Sequence, residues 1–207
     1  MANHYMDEIL ENIKVRPIAE HLNELCAREE IVGFHYTRCE YDRIAEDGLI
    51  CQSGAELREK FLLKHGPRLT PDARDYLVHA WTSYFDAAAA AARDFKIHFC
   101  LNPHPPNYGD VRDLLYYFGG EAIYMPVAEH DEIGPYLHSI GNPLLVKCAL
   151  SPKRLVTHRD LAWARVWLSS YHRTINHRAA TEDGQAYQNE AVPASKIIEI
   201  ERLQNEV

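Results

Sequence analysis

Gly33-Phe34-His35-Tyr36-Thr37-Arg38 lies near the start of the chain, and Gln188-Asn189-Glu190-Ala191-Val192-Pro193 answers it near the end. The first stretch belongs to a strand read over Ile31–Thr37, and alternate residues of a strand share a face. His35 and Thr37 therefore point into one cleft in this reading. Glu190 stands at the entrance of the last strand and brings a single carboxylate from far along the sequence.

Working outward, Glu40–Glu46 reads as a helix ended by Asp47-Gly48, with Leu49-Ile50-Cys51 as a short strand. Upstream, Met6–Cys26 carries Ile9, Leu10, Ile13, Ile18, Leu22 and Leu25 at helical spacing, with Pro17 where a second helix begins. Ser53–Leu69 reads as helical, and Thr70-Pro71 starts another helix. His79–Phe85, rich in aromatic and hydroxyl residues, reads as a strand. Asp86 caps an alanine-rich helix, Lys96–Leu101 is a strand, and the prolines of Asn102–Gly109 force a loop. Asp110 opens a helix to Phe118. Glu121–Pro126 and Pro143–Leu150 read as strands, and Arg159 to Asn176 as a long helix. Thr181–Gln188 reads as a loop and Glu190–Arg202 as one or two strands.

The expected fold is α+β, a mixed, mostly antiparallel sheet with helices inserted between strands. The expected organisation is a pair of N-terminal helices over residues 1–30 and one main domain over 31–207.

With 207 residues, 46% hydrophobic and 25% charged, the chain can bury a sizeable core. Its longest apolar runs, Ala87–Ala92 and Ala122–Ala128, are too short to cross a bilayer. No basic stretch followed by an apolar one opens the sequence, so no secretory signal is expected. Five scattered cysteines without a Cys-x-x-Cys pair read as reduced thiols, which points to the cytoplasm. Among the twelve histidines none forms a His-x-x-x-His pair, and no metal is expected. The net charge is −8, yet Lys147–Arg178 holds seven basic residues against the single acid Asp160. Such asymmetry reads either as a face for an anionic partner or as a solvated helix surface. Trp163, Trp167 and Tyr171 recur every four residues and read as a core stripe, with base stacking the lesser alternative.

Two donors with a distant carboxylate suit a site that binds a ribose and stabilises positive charge on it. Four co-linear stretches resemble the NAD-dependent ADP-ribosyltransferase superfamily, in its histidine-containing branch. They are Phe34-His35-Tyr36-Thr37 with Gly48-Leu49-Ile50, Ala80-Trp81-Thr82-Ser83-Tyr84 before Ala87–Ala92, Pro143–Pro152, and Asn189–Pro193 before Ile197-Ile198-Glu199-Ile200. Asn102–Tyr108 and Gly120-Glu121-Ala122-Ile123-Tyr124 resemble the region found in toxins and phage-defence proteins that modify nucleic acid.

The resemblance implies a split sheet of the ADP-ribosyltransferase type and transfer of a single ADP-ribose from NAD to a macromolecule. Glu190 would be the catalytic carboxylate. His35 would act with it by holding the adenosine ribose, and backbone groups around Tyr36 would hold the nicotinamide amide. Thr37 adds a polar group on the same face, and Arg38 would bind pyrophosphate. Trp81 or Tyr84 would supply the aromatic platform, and Ser83 or Thr82 would support Glu190. Nucleic acid, RNA or DNA held by Lys147–Arg178, is favoured narrowly over protein as acceptor. An antitoxin or regulatory protein is the implied partner, with no membrane. Two rivals stand beside this reading: an RNA 2′-phosphotransferase-like enzyme, which also uses NAD, and a catalytically silent interaction module of the same fold.

Overall fold

A computed structural model describes residues 2–182 and 184–204; the side chains of residues 2–4 and 110 lie outside that description. Two helices come first, α1 (Ala2–Glu11) and α2 (Arg16–Cys26), then strand β1 (Ile31–Cys39). Four helices follow: α3 (Tyr41–Asp47), α4 (Gly54–His65), α5 (Pro71–Tyr84) and α6 (Ala87–Arg93). Strand β2 (Ile97–Cys100) precedes α7 (Gly109–Tyr116), α8 (Glu121–Tyr124) and α9 (Ile133–Ser139). The last elements are β3 (Asn142–Leu150), β4 (Val156–Thr157), α10 (Ala162–Ile175), β5 (Gln185–Gln188) and β6 (Ile197–Arg202). The strands form a six-stranded antiparallel sheet in the order β4-β5-β2-β1-β3-β6. The expectation of a mixed helix-and-sheet chain with largely antiparallel pairing is met at that level. Among the described residues no helix is long and apolar enough to cross a membrane.

Several helix starts follow from local chemistry. The Ser53 hydroxyl accepts the Glu56 amide hydrogen at 3.2 Å, and the Glu56 carboxylate accepts that of Ser53 at 2.8 Å, closing a reciprocal cap on α4. Thr70 and Asp86 cap α5 and α6 without the return bond, their side-chain oxygens accepting the amide hydrogens of Ala73 and Ala89.

The structure corrects four expectations. His79–Phe85 is not a strand; through Tyr84 it is the last part of α5. Ala73, Leu77 and Trp81 recur at helical spacing and are all buried, and packing of that stripe overrides the β propensity of the aromatic run. Within Glu121–Pro126, Glu121–Tyr124 forms the short helix α8, entered through Gly119 and Gly120 at φ +86° and +75°. Leu49-Ile50-Cys51 shrinks to an isolated bridge between Leu49 and Val192. In the expected C-terminal loop, Gln185–Gln188 is β5, while the last strand starts only at Ile197.

The chain divides into two compact units. The first comprises Met1–His35, His98–Pro103 and Lys147–Gln188. In it Leu10, Ala19 and Ala164 form a small core where α10 meets α1 and α2. Leu161, just ahead of α10, is left-handed at φ +49° and its side chain caps nothing. Asn23 Oδ1 replaces it, accepting the amide hydrogens of Trp163 and Ala164 at 3.1 and 3.3 Å. The buried positions of α10 are Ala162, Ala164, Arg165 and Ser169. The stripe read as core is thus largely outside it: Trp167 and Tyr171 are exposed and stack on each other at 5.3 Å.

The second unit comprises Tyr36–Ile97, His104–Val146 and Asn189–Val207. Its core gathers Phe61, Leu77, Trp81, Ile123, Ile133 and Leu137.

Candidate functional site

His35 is half-buried on β1, and its Nδ1 lies 2.9 Å from the carbonyl oxygen of His98. A carbonyl can only accept, so Nδ1 carries the proton of this bond and Nε2 of the neutral ring keeps its lone pair. Burial lowers the pKa of His35; the bond to His98 pulls the other way and is outweighed. The residue is therefore set as a neutral imidazole with a fixed tautomer, able to accept a hydrogen bond from a hydroxyl.

The neighbours of His35 on the strand have other tasks. Tyr36 is buried; its hydroxyl donates to the His104 carbonyl at 3.0 Å and accepts the His104 amide hydrogen at 2.7 Å, fixing the start of the proline loop in the second unit. Arg38 is 3% exposed, and its Nε and Nη1 donate to the carbonyls of Ile140 and Leu115 at 2.9 and 3.0 Å. A guanidinium so buried, with those donors directed at backbone, is a structural brace, which corrects the pyrophosphate role expected of it. Thr37 is half-buried, with the same strand parity as His35.

The expected aromatic platform divides. Trp81 is 5% exposed, donates its indole N–H to the Ile123 carbonyl at 2.9 Å and meets Phe61 edge-on, so it is a core residue of the second unit. Ser83 and Tyr84 are exposed on the last turn of α5, where Tyr84 lies against Phe85. Tyr84 therefore keeps a ring that a ligand can reach, and Trp81 does not.

Glu190 is exposed in the bend after β5. Two residues on, Val192 exchanges backbone hydrogen bonds with Leu49, each 2.9 Å long. Gly48 makes this approach feasible: its φ is +76°, and a Cβ there would sit 2.0 Å from the Val192 carbonyl oxygen. The Gly48-Leu49 turn and the glutamate segment, 142 residues apart between Gly48 and Glu190, are thus locked together within the second unit.

A second polar site lies in the first unit and had no legible motif. A cleft of about 250 Å³ is lined by Thr157, His158, Arg159, Arg165, Glu182 and Gln185, among others. Arg165 is buried, with Nη1 2.7 Å from Asp7 Oδ1, Nη2 3.1 Å from Asp160 Oδ1 and Nε donating to the Asp160 carbonyl at 2.9 Å. Burial alone would lower its pKa, but Asp7 and Asp160 outweigh burial and raise it. Arg159 Nη1 lies 3.2 Å from Oε1 of the buried Glu182. Two of the seven cations of the basic segment are thereby neutralised by internal carboxylates. Asp7 and Glu182 lie outside that segment, so no local charge count could have shown the pairing. Among the described residues no group of three or more His, Cys, Asp or Glu side chains could hold a metal ion.

No family model, no curated protein and no solved structure matches this chain.

Proposed function

We propose that the chain is an NAD-dependent mono-ADP-ribosyltransferase that acts on a macromolecule, as a toxin or defence effector. The supporting observation is the reciprocal pairing of Leu49 with Val192. It makes two of the stretches that prompted the reading, Gly48-Leu49 and Glu190–Pro193, into one local structure and holds an exposed carboxylate beside it.

The residues fit the dinucleotide in part. His35, neutral and with Nε2 open to accept, suits a ribose hydroxyl. Arg38 and Trp81 do not fit, because their polar groups are engaged inside the second unit. In this reading Glu190 accepts a hydrogen bond from a ribose hydroxyl, and its charge steadies the positive sugar as the bond to nicotinamide lengthens. The same carboxylate takes the proton from the attacking group of the acceptor. The burial of Arg38 removes the one basic residue on which an RNA 2′-phosphotransferase reading leaned.

The test is nicotinamide release from labelled NAD by the purified chain, with RNA, single-stranded DNA and cell lysate offered as acceptors. Release should fall at least about 100-fold in Glu190→Gln, with the melting temperature unchanged because the side chain is exposed. The labelled fraction then names the acceptor class. Absence of release with every acceptor, together with no NAD binding by calorimetry, overturns the transferase reading and leaves an interaction module.

A further inference from the structure

The strands of the first unit have two unlike faces. On one, Phe99 and Ala186 are almost fully buried, and Gly33 is packed so closely that a Cβ would meet Leu150 at 2.3 Å and Phe99 at 3.1 Å. Val166 of α10 presses on the same side, against Gly184 and beside Leu101. On the other face the residues are apolar or aromatic and yet accessible. Val156 of β4 stands opposite Tyr187 of β5, and Phe34 of β1 opposite Cys100 of β2. Val32 and Val156 are each 43% exposed.

Three rings run across this open face. His98 on β2 lies 5.5 Å from Tyr187, and His158, just past β4, lies 5.9 Å from Tyr187 on its other side. Both histidines are exposed and the tyrosine is half-buried. The turn leading into β4 presents exposed Lys153 and Arg154, whereas Arg159, next after His158, is held by Glu182. A row of accessible rings on a sheet face, bordered by cations, suits unstacked bases and their phosphates. A duplex hides its base faces and offers such a surface only its backbone.

We propose that the His98–Tyr187–His158 row is a docking platform for single-stranded nucleic acid. Bases lie on the rings, and Lys153 and Arg154 meet the phosphates. A net charge of −8 opposes general attraction of a polyanion, so binding is confined to this basic border. His35, of opposite strand parity, lies with Phe99 on the other face, so the platform is distinct from the ribose contact proposed for it. It does not depend on NAD turnover.

The test is fluorescence anisotropy with short labelled single-stranded RNA and DNA oligonucleotides and a matching duplex, without NAD, over a series of salt concentrations. Single strands should bind more tightly than duplex. Tyr187→Ala should weaken binding by about tenfold, and the exposed change His98→Ala should do so without touching the packed face. Lys153→Glu with Arg154→Glu should flatten the salt dependence. Retained binding in both ring variants, equal affinity for duplex, or no binding by the folded wild type at low salt each overturns the platform. So does a concentration-dependent dimer in sedimentation that Tyr187→Ala abolishes, since that assigns the face to a second copy of the chain. Because NAD is absent, failure here leaves the transferase reading to its own experiment.

Discussion

Leu49 and Val192 donate to each other's carbonyl oxygens at 2.9 Å in both directions, although 143 residues separate them. This single antiparallel bridge fixes the backbone two residues beyond Glu190, and Gly48 is the residue that admits it. Gly48→Ala places a methyl group 2.0 Å from the Val192 carbonyl and 2.8 Å from the Ala194 nitrogen, at a φ of +76°. The variant should lose about 1–3 kcal/mol in urea unfolding. Nicotinamide release should fall with it even where the protein remains folded, because the segment carrying the carboxylate must shift. An unaltered midpoint would show that the bridge is not held in solution.

Trp81 separates core from ligand contact. Trp81→Phe deletes the donor to the Ile123 carbonyl and should cost about 1–3 kcal/mol. At a temperature where the variant is folded, its KM for NAD should equal that of the wild type. A tenfold rise in KM with the fold intact would restore the ring to the binding site.

Arg165 is the centre of charge in the first unit. Arg165→Met removes the buried cation shared by Asp7 and Asp160, leaving them only the longer pairs to Arg159 and Arg16, and should destabilise the chain by about 1–3 kcal/mol. Arg165→Lys should recover little of this, since an ammonium cannot span Asp7, the Asp160 carboxylate and the Asp160 carbonyl together. Urea midpoints of the two variants decide the matter, and near-complete recovery by lysine would refute the forked role.

Acid sensitivity follows from two histidines. Burial lowers the pKa of His35 and, in the second unit, of His65, where the charges of Lys64 and Arg68 add to the effect and Glu40 opposes it. Both therefore bind protons more weakly in the folded chain than at their ordinary value of 6.5. The unfolded chain takes up more protons below that value, so stability is full above about pH 6.5 and declines as pH falls through the folded values. Glu56 and Glu132, lowered from 4.5 by bonds from Ser53 and Thr70, extend the decline at lower pH. Urea midpoints measured from pH 8 to pH 5 should be level and then drop, with a shallower drop in His65→Gln. A midpoint that rises on acidification would contradict the assignment.

The sequence by itself determined what depends on neighbours along the chain. Strand alternation placed β1, an apolar run placed β3, Thr70-Pro71 and Asp86 started their helices, and Pro103, Pro105 and Pro106 broke the chain into a loop. It also put His35 on a strand, whereas Glu190, read at the entrance of the last strand, lies in the bend after β5, and that strand starts only at Ile197.

Tertiary structure decided wherever packing or distant partners outweigh local preference. The run from His79 has the composition of a strand, but the Ala73-Leu77-Trp81 stripe is buried only if the segment coils. Trp167 and Tyr171 have the spacing of a core, but α10 buries its small residues instead. Arg38 and Arg159 look like ligands for phosphate until their partners, Leu115, Ile140 and Glu182, arrive from more than twenty residues away. Local spacing fixes which groups a segment can present. Only the folded chain fixes which of them are already occupied, because desolvation makes buried polar groups take whatever partner the fold brings.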